Sequence, residues 1–139
     1  MISKEIDFEN IIFGQSPYKG IFVSCLDEER FPRNNSRIPK VTAHVVRIDP
    51  KCEISLHYHD REENWTEFII FPLRGNFELF TPKNSSIFSG SKPVYARVNS
   101  KEVYGIRNRD SHEPLYLISI MKPGFIGFEE IKNNLPPKN

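Results

Sequence analysis

Short runs of apolar residues alternate with clusters of polar and turn-forming residues along most of the chain. The runs are rich in β-branched and aromatic residues, which favour strands, and Pro, Gly, Asn and Asp stand between them. Eight strands are predicted in this way, at residues 20–26, 41–48, 53–59, 65–73, 77–80, 94–98, 102–107 and 115–121. Short strands at regular spacing with turns between them are typical of an all-β sandwich or closed barrel.

Two longer stretches of turn-forming residues separate these strands. Residues 27–40 and 81–92 are each predicted to be a surface loop, because prolines and other breakers recur within them. Residues 1–19 are predicted to be a lead-in, either amphipathic or an edge strand. Residues 125–131 are predicted to add a final strand or a helical turn, and residues 133–139 a frayed tail.

Length and charge narrow the class of protein. At 139 residues the chain fits one domain, 1–139, with a barrel core over about residues 20–122. The 19 Lys and Arg residues nearly balance the 18 Asp and Glu residues, and the net charge of +1 disfavours nucleic acid as a partner. No apolar run reaches the roughly 18 residues of a membrane span, and the N-terminus lacks a signal-peptide pattern. A cytoplasmic protein without membrane contact is therefore expected.

The candidate chemistry lies in the predicted strand at 53–59, which ends in His57-Tyr58-His59. Side chains in a strand alternate between two faces, so residues two apart point the same way and the two imidazoles converge. With a carboxylate from the neighbouring strand they would form a set of two His and one Asp or Glu. Such a set holds iron(II) or a similar divalent metal and leaves positions open for substrate. The other two histidines, His44 and His112, fit an ordinary strand position and a polar turn.

The order of elements around the histidines resembles the first motif of the cupin superfamily of small β-barrels. That motif reads His-x-His, three or four residues, Glu, six residues, Gly, and His57, His59 and Gly75 match it. Two residues compete for the Glu position, because Glu63 stands at the family's distance from His59, and Glu67 nearly at the family's distance from Gly75. We favour Glu67, since it opens an apolar strand, whereas Glu63 falls in a charged turn.

The second cupin motif lies where the family pattern places it but matches in few residues. Its Pro-x-Gly is replaced by residues 99–101, and the histidine that is usually the fourth metal ligand is replaced by Tyr104. Asn108 follows as in the family. Tyr104 is predicted to face the same cavity as the histidines, as a weak ligand, a hydrogen-bond donor to substrate or a general acid, or else to be a barrel aromatic.

The resemblance covers about residues 41–122 and implies an all-β cupin-like double-stranded β-helix (jelly-roll) barrel, often dimeric. It implies one divalent metal ion, Fe, Mn, Zn or Ni, held by His57, His59 and Glu67, with Tyr104 as a catalytic residue. The chain would then be an enzyme of the dioxygenase, lyase or sugar isomerase/epimerase type acting on a small molecule. The alternative is a non-catalytic barrel that has lost tight metal binding and keeps a pocket for a sugar or carboxylate. The expected partners are a small-molecule ligand and a second copy in a homodimer.

Overall fold

The structure is a computed structural model of the chain, and it describes residues 1, 3, 5–26, 41–59, 65–88, 92–99, 101–122, 124 and 131–133. Within these ranges no helix is long and apolar enough to cross a membrane. The predicted loop at 27–40 and most of the predicted final element, residues 125–130, lie outside the described ranges.

Eleven strands run through the described residues. In chain order they are β1 (Gly14–Gln15), β2 (Ile21–Cys25), β3 (Thr42–Ile48), β4 (Glu53–His59), β5 (Trp65–Arg74), β6 (Phe77–Phe80), β7 (Ser85–Phe88), β8 (Val94–Asn99), β9 (Tyr104–Arg107), β10 (Leu115–Lys122) and β11 (Ile131–Asn133). Two of them, β4 and β6, have the predicted bounds, and most of the others differ from the prediction by one or two residues at their ends. The match is close because apolar runs and turn residues mark strands locally.

The strands form two antiparallel sheets with the orders β1-β2-β3-β10-β5-β8 and β11-β4-β9-β6-β7. From β3 onward the chain crosses between the sheets at nearly every connection, which winds them into a double-stranded β-helix. The predicted all-β jelly-roll barrel is therefore confirmed. The core lies between the sheets, where Ile48, Leu115 and Leu117 of the first sheet and Phe77 of the second are almost fully buried.

One predicted loop contains a strand. The sequence predicts a loop over residues 81–92, but β7 forms within it and pairs with β6. A tight turn joins the two strands, with the Thr81 N–H donating to the Asn84 carbonyl at 2.7 Å and the Asn84 N–H donating to the Thr81 hydroxyl at 3.1 Å. The loop prediction is wrong here because strand pairing overrides the weak strand preference of residues such as Ser85 and Ser86.

Asn108 ties the loop before β10 to the barrel wall. Its side chain is buried, and its Nδ2 donates to the carbonyl oxygens of Ile48 at 3.0 Å and Glu113 at 2.8 Å. Its Oδ1 accepts the N–H of Asp110 at 3.0 Å. This one side chain, just after β9, thus satisfies a backbone group at the end of β3 and two in the loop before β10.

Candidate functional site

A β-bulge lies in β4 just before the histidines. Ile54 of β4 is opposite Ile106 of β9, but His57 is opposite Tyr104, with a register shift between the two pairs. The three residue steps from Ile54 to His57 therefore pair with only two steps on β9, so β4 has one extra residue, a bulge at positions 55–56.

The bulge decides which residues of β4 face the interior. Ile54 lines the interior, so uninterrupted alternation would also send Leu56 and Tyr58 inward. Instead His57 and His59 are 3% and 5% exposed, while Leu56 and Tyr58 are only half-buried. The predicted convergence of the two imidazoles is confirmed, and the bulge is the reason that they converge inside the barrel.

His57, His59 and Tyr104 form one buried cluster. The ring centroids of His57 and His59 are 5.4 Å apart, with the ring planes at 69°. The Tyr104 ring centroid is 4.5 Å from that of His57, and the Tyr104 hydroxyl oxygen is 3.0 Å from His59 Nε2. The predicted placement of Tyr104 beside the histidines is confirmed, and its catalytic role stays a prediction.

Burial and hydrogen bonding define the state of His57. Its Nδ1 lies 2.8 Å from the Ser55 carbonyl oxygen, and because a carbonyl only accepts, Nδ1 carries the hydrogen. Desolvation lowers the pKa of His57 from 6.5 to about 4, despite the opposing bond to Ser55. The ring is therefore neutral at pH 7, with its lone pair on Nε2, where it can accept a hydrogen bond or bind a metal.

The bond between His59 and Tyr104 can carry its proton in two ways. If His59 Nε2 is protonated, it donates to the phenol oxygen, and the Tyr104 O–H can donate to a ligand oxygen. In the other tautomer the phenol donates to Nε2 and its oxygen can accept from a ligand. The pair can therefore give a proton to a ligand or take one, as general acid–base chemistry requires.

His44 is a site residue that the sequence did not indicate. It lies on β3 opposite Ser119 of β10, is 4% exposed and lines the same cavity as the other two buried histidines. Desolvation by burial lowers its pKa from 6.5 to about 4, so its ring is also neutral at pH 7. Two successive valines follow it, and because one of them lies on each face, alternation does not reveal which face His44 takes.

The structure does not bring Glu67 to the histidines. The strand β5 pairs with β8 without interruption over residues 65–70, and Thr66 and Phe68 are 3% and 4% exposed. Glu67 stands between them and therefore lies on the opposite, outer face. Its cross-strand neighbours are the basic residues Arg97 and Lys122, which suit an outward carboxylate. The predicted set of two histidines and Glu67 is thus corrected, since alternation in β5 turns Glu67 away from the cavity.

Phe68 occupies an inward position near the place where a carboxylate would be needed. Six residues separate it from Gly75, the spacing of the Glu in the first cupin motif. Its ring centroid lies 6.2 Å from that of His59 and 5.2 Å from that of Tyr104. Two of the four ligand positions implied by the resemblance thus carry aromatic rings. Glu63, the other acidic candidate, lies outside the described residues.

The described side chains do not fit a tightly bound divalent metal. Among the residues that the structure covers, no group of three or more His, Cys, Asp or Glu side chains could hold an ion. Among the described residues, the three histidines around the cavity do not form a metal-binding group, and Phe68 supplies no anionic ligand at the position that it occupies. In addition, Nε2 of His59 already bonds to Tyr104.

The cluster lines a cavity of about 70 Å³ between the two sheets. Its polar lining comes from His44, His57, His59, Tyr104 and Ser119, and the other lining side chains are apolar. An apolar cavity with a few convergent polar groups is typical of a small-molecule site.

Comparison with solved structures finds similar folds at low sequence identity. The polyketide cyclase RemF from Streptomyces resistomycificus gives a TM-score of 0.66 and 11% identity, covering 99% of this chain and 89% of that chain. The cupin domain of Cnp3 from Schizosaccharomyces pombe gives 0.59 and 14%, covering 85% and 72%. KdgF from Halomonas sp. gives 0.57 and 16%, covering 84% and 91%. Neither the family models nor the curated proteins compared with the sequence give a match.

Proposed function

The chain has the cupin fold, and we propose that it binds a small organic molecule in the inner cavity through His57, His59 and Tyr104, without a tightly bound metal. The observation that carries the proposal is the buried bond between His59 and Tyr104, because it joins a proton donor and acceptor inside an apolar cavity. This geometry favours a ligand-binding barrel that has lost tight metal binding over a metal-dependent dioxygenase, lyase or isomerase.

The cavity lining favours a ligand with an apolar body and one neutral oxygen atom. A sugar needs a partner for each hydroxyl, because a buried polar group without one costs about 1–3 kcal/mol, and the polar lining is sparse. A buried carboxylate needs a cation in contact, and among the described residues no Lys or Arg side chain lines the inner cavity, where the rings of His44 and His57 are neutral. A single carbonyl or hydroxyl oxygen needs neither many hydrogen-bond partners nor a cation, so it suits this cavity.

The same residues can act chemically on a carbonyl ligand. Tyr104 can donate its proton to the carbonyl oxygen while His59 holds the phenol in place, and His57 Nε2 can accept a proton. General acid–base catalysis of this kind contributes about 10²–10⁴-fold to a rate. The fold supports enzymes, since RemF is a polyketide cyclase, and we propose proton transfer on a carbonyl compound as the catalytic form of the function.

Acetone, the smallest ketone, tests the proposed contact. In an NMR titration of the ¹⁵N-labelled protein, acetone should shift the backbone amides of β4 and β9 that flank His57 and Tyr104. The variant Tyr104→Phe keeps the ring and removes the hydroxyl, and it should weaken binding about fivefold, the value of one hydrogen bond. The variant Tyr58→Phe makes the same change on the outward face of β4 and should bind as the wild type does. Equal acetone affinity in Tyr104→Phe and wild type would refute the contact.

Metal content distinguishes the proposed barrel without a tightly bound metal from a metal-dependent enzyme. Protein purified without a chelator or a nickel column should hold no stoichiometric Fe, Mn, Zn or Ni by elemental analysis, and Zn²⁺ should bind weakly in a calorimetric titration. Stoichiometric metal that is lost when His57→Ala and His59→Ala are combined would overturn the proposal. The metal-dependent enzyme would then stand, with Glu63 as the carboxylate to test next. The homodimer and the cytoplasmic location expected from the sequence stay predictions.

A further inference from the structure

A second cavity, of about 250 Å³, lies beside the inner one. It is bordered by β7 and β8, each of which is the edge strand of its sheet. Its walls are largely apolar and include Leu79, Phe88, Val94 and Val98. We call this space the outer cleft and the 70 Å³ cavity the inner cavity.

The outer cleft and the inner cavity share a wall that is one side chain thick. Phe68, Tyr104 and Ile106 line both spaces. The rings of Phe68 and Tyr104 are in contact, with centroids 5.2 Å apart, and the Tyr104 hydroxyl bonds to His59 on the inner side. Tyr104 is held in this wall by its bond to His59, whereas the Phe68 ring has no polar group to hold it.

The two spaces differ in size and chemistry in a complementary way. A cavity of about 150 Å³ can hold benzene, so the inner cavity is too small for a ring, whereas the outer cleft is large enough. The charged residues along the cleft have partners of their own. Glu102 accepts the backbone N–H of Asn99 at 3.0 Å, and the Arg97 guanidinium lies over the Trp65 ring at 5.4 Å. The outer cleft therefore suits a neutral apolar group.

We infer that the outer cleft and the inner cavity are two compartments of one ligand chamber, with Phe68 as the movable partition. This inference rests on the proposed function of the inner cavity and extends it to a ligand class. The ligand is an elongated ketone or alcohol whose aromatic or branched aliphatic body fills the outer cleft. Its single oxygen passes Phe68 and reaches Tyr104 and His59.

Three probes separate the compartments in ¹H–¹⁵N NMR titrations of the full chain. Acetone represents the polar end of the ligand, benzene represents its apolar body, and benzylacetone contains both groups in one molecule. Ala96 lies opposite Phe68 on β8 and lines the outer cleft, so Ala96→Phe should fill it. Ser86→Phe fills the cleft from the exposed rim of β7 and serves if the first variant folds poorly. The control Ile87→Phe adds a similar ring on the exposed outer side of β7.

Benzylacetone should shift the backbone amides of β7 and β8, which border the outer cleft, and those of β4 and β9, which border the inner cavity. It should also bind at least about tenfold more tightly than benzene, because linked groups lose less freedom on binding. Filling the cleft should weaken benzylacetone about tenfold or more and leave acetone unchanged, whereas Ile87→Phe should alter neither. The inference is overturned if benzylacetone binds no better than benzene, or if both filled variants bind it as the wild type does. If acetone alone gives shifts that depend on Tyr104, the proposed function stands and only the two-compartment chamber falls. If acetone gives no such shifts, both fall.

Discussion

Replacing His44 with Gln should make the protein less sensitive to acid. His44 is 4% exposed, and desolvation by burial lowers its pKa from 6.5 to about 4. In the unfolded chain the imidazole is hydrated and its pKa returns to the ordinary value of about 6.5. At pH 7 and above both states are mostly neutral at this position, so His44 then adds little pH dependence to stability.

His44 lowers the free energy of unfolding at pH values between its folded-state pKa of about 4 and its unfolded-state pKa of about 6.5. As the pH falls through 6.5, the unfolded state takes up a proton at His44 and the folded state does not, so the free energy of unfolding decreases. The decrease approaches about 1.4 kcal/mol per pH unit and levels off below pH 4, where the folded state is protonated as well. Over the whole window His44 accounts for about 3 kcal/mol, a large share of the stability of a small domain.

Urea unfolding followed by the fluorescence of Trp65, the single tryptophan, measures this effect. Unfolding free energies are determined in steps between about pH 7.5 and pH 4.5 for wild type, His44→Gln and His112→Gln. The variant His44→Gln should show a shallower decline, by close to one proton. The control His112→Gln makes the same side-chain change at an exposed position in a turn, and its decline should stay steeper than that of His44→Gln.

The pKa of the His44 ring, measured by NMR in the folded protein, tests the same reasoning directly. Carboxylates also titrate near the acid end of the window, but they are common to all three proteins and cancel in the differences between them. If His44→Gln and wild type lose stability with the same slope, or if the His44 ring in the folded protein titrates near 6.5 by NMR, then burial does not hold this imidazole neutral.

Four further substitutions, one of them a control, test the packing and the site by urea unfolding. Gly105→Ala would press a Cβ into the Phe80 ring and to within 2.7 Å of a β4 carbonyl oxygen, and should cost about 1–3 kcal/mol. Gly14→Ala, whose Cβ meets only a 3.4 Å contact, should cost clearly less, and equal costs would contradict this packing. Asn108→Ala leaves three backbone groups without their side-chain partner and should cost at least about 2 kcal/mol, so a smaller loss would show that water replaces the amide. Tyr104→Phe removes one hydrogen bond from the buried His59 Nε2 and should cost about 1–3 kcal/mol, and a much larger loss would mark Tyr104 as chiefly structural.

The sequence predicted the strands well where the signal is local. Apolar runs bounded by turn residues placed β4 and β6 at their observed bounds. The same reasoning missed β7, because its hydrogen bonds come from β6 and leave little trace in the weak strand formers Ser85 and Ser86. Composition alone therefore identifies strands with strong preference and overlooks a strand that depends on its neighbour.

The sequence predicted only part of the candidate site correctly. The spacing of His57 and His59 brings the two rings to one face of any extended strand, and the returning strand places Tyr104 opposite them. Glu67 was chosen for its spacing and its apolar surroundings, which say nothing about the face on which it lies. The structure turns it outward and puts Phe68 beside the histidines instead.

The spacing of His57 and His59 was enough to predict that they share a face, and the strand pattern was enough to predict a strand with Tyr104 beside them. That this face is the inner one follows from the pairing of the strands. A strand has a period of two, so one extra residue exchanges its faces, and the bulge at residues 55–56 makes this exchange in β4. Residue types do not encode such a shift, because it arises from the register that β9 imposes on β4. The inward histidines and the outward Glu67 are therefore properties of the paired sheets, and local sequence alone could not have specified them.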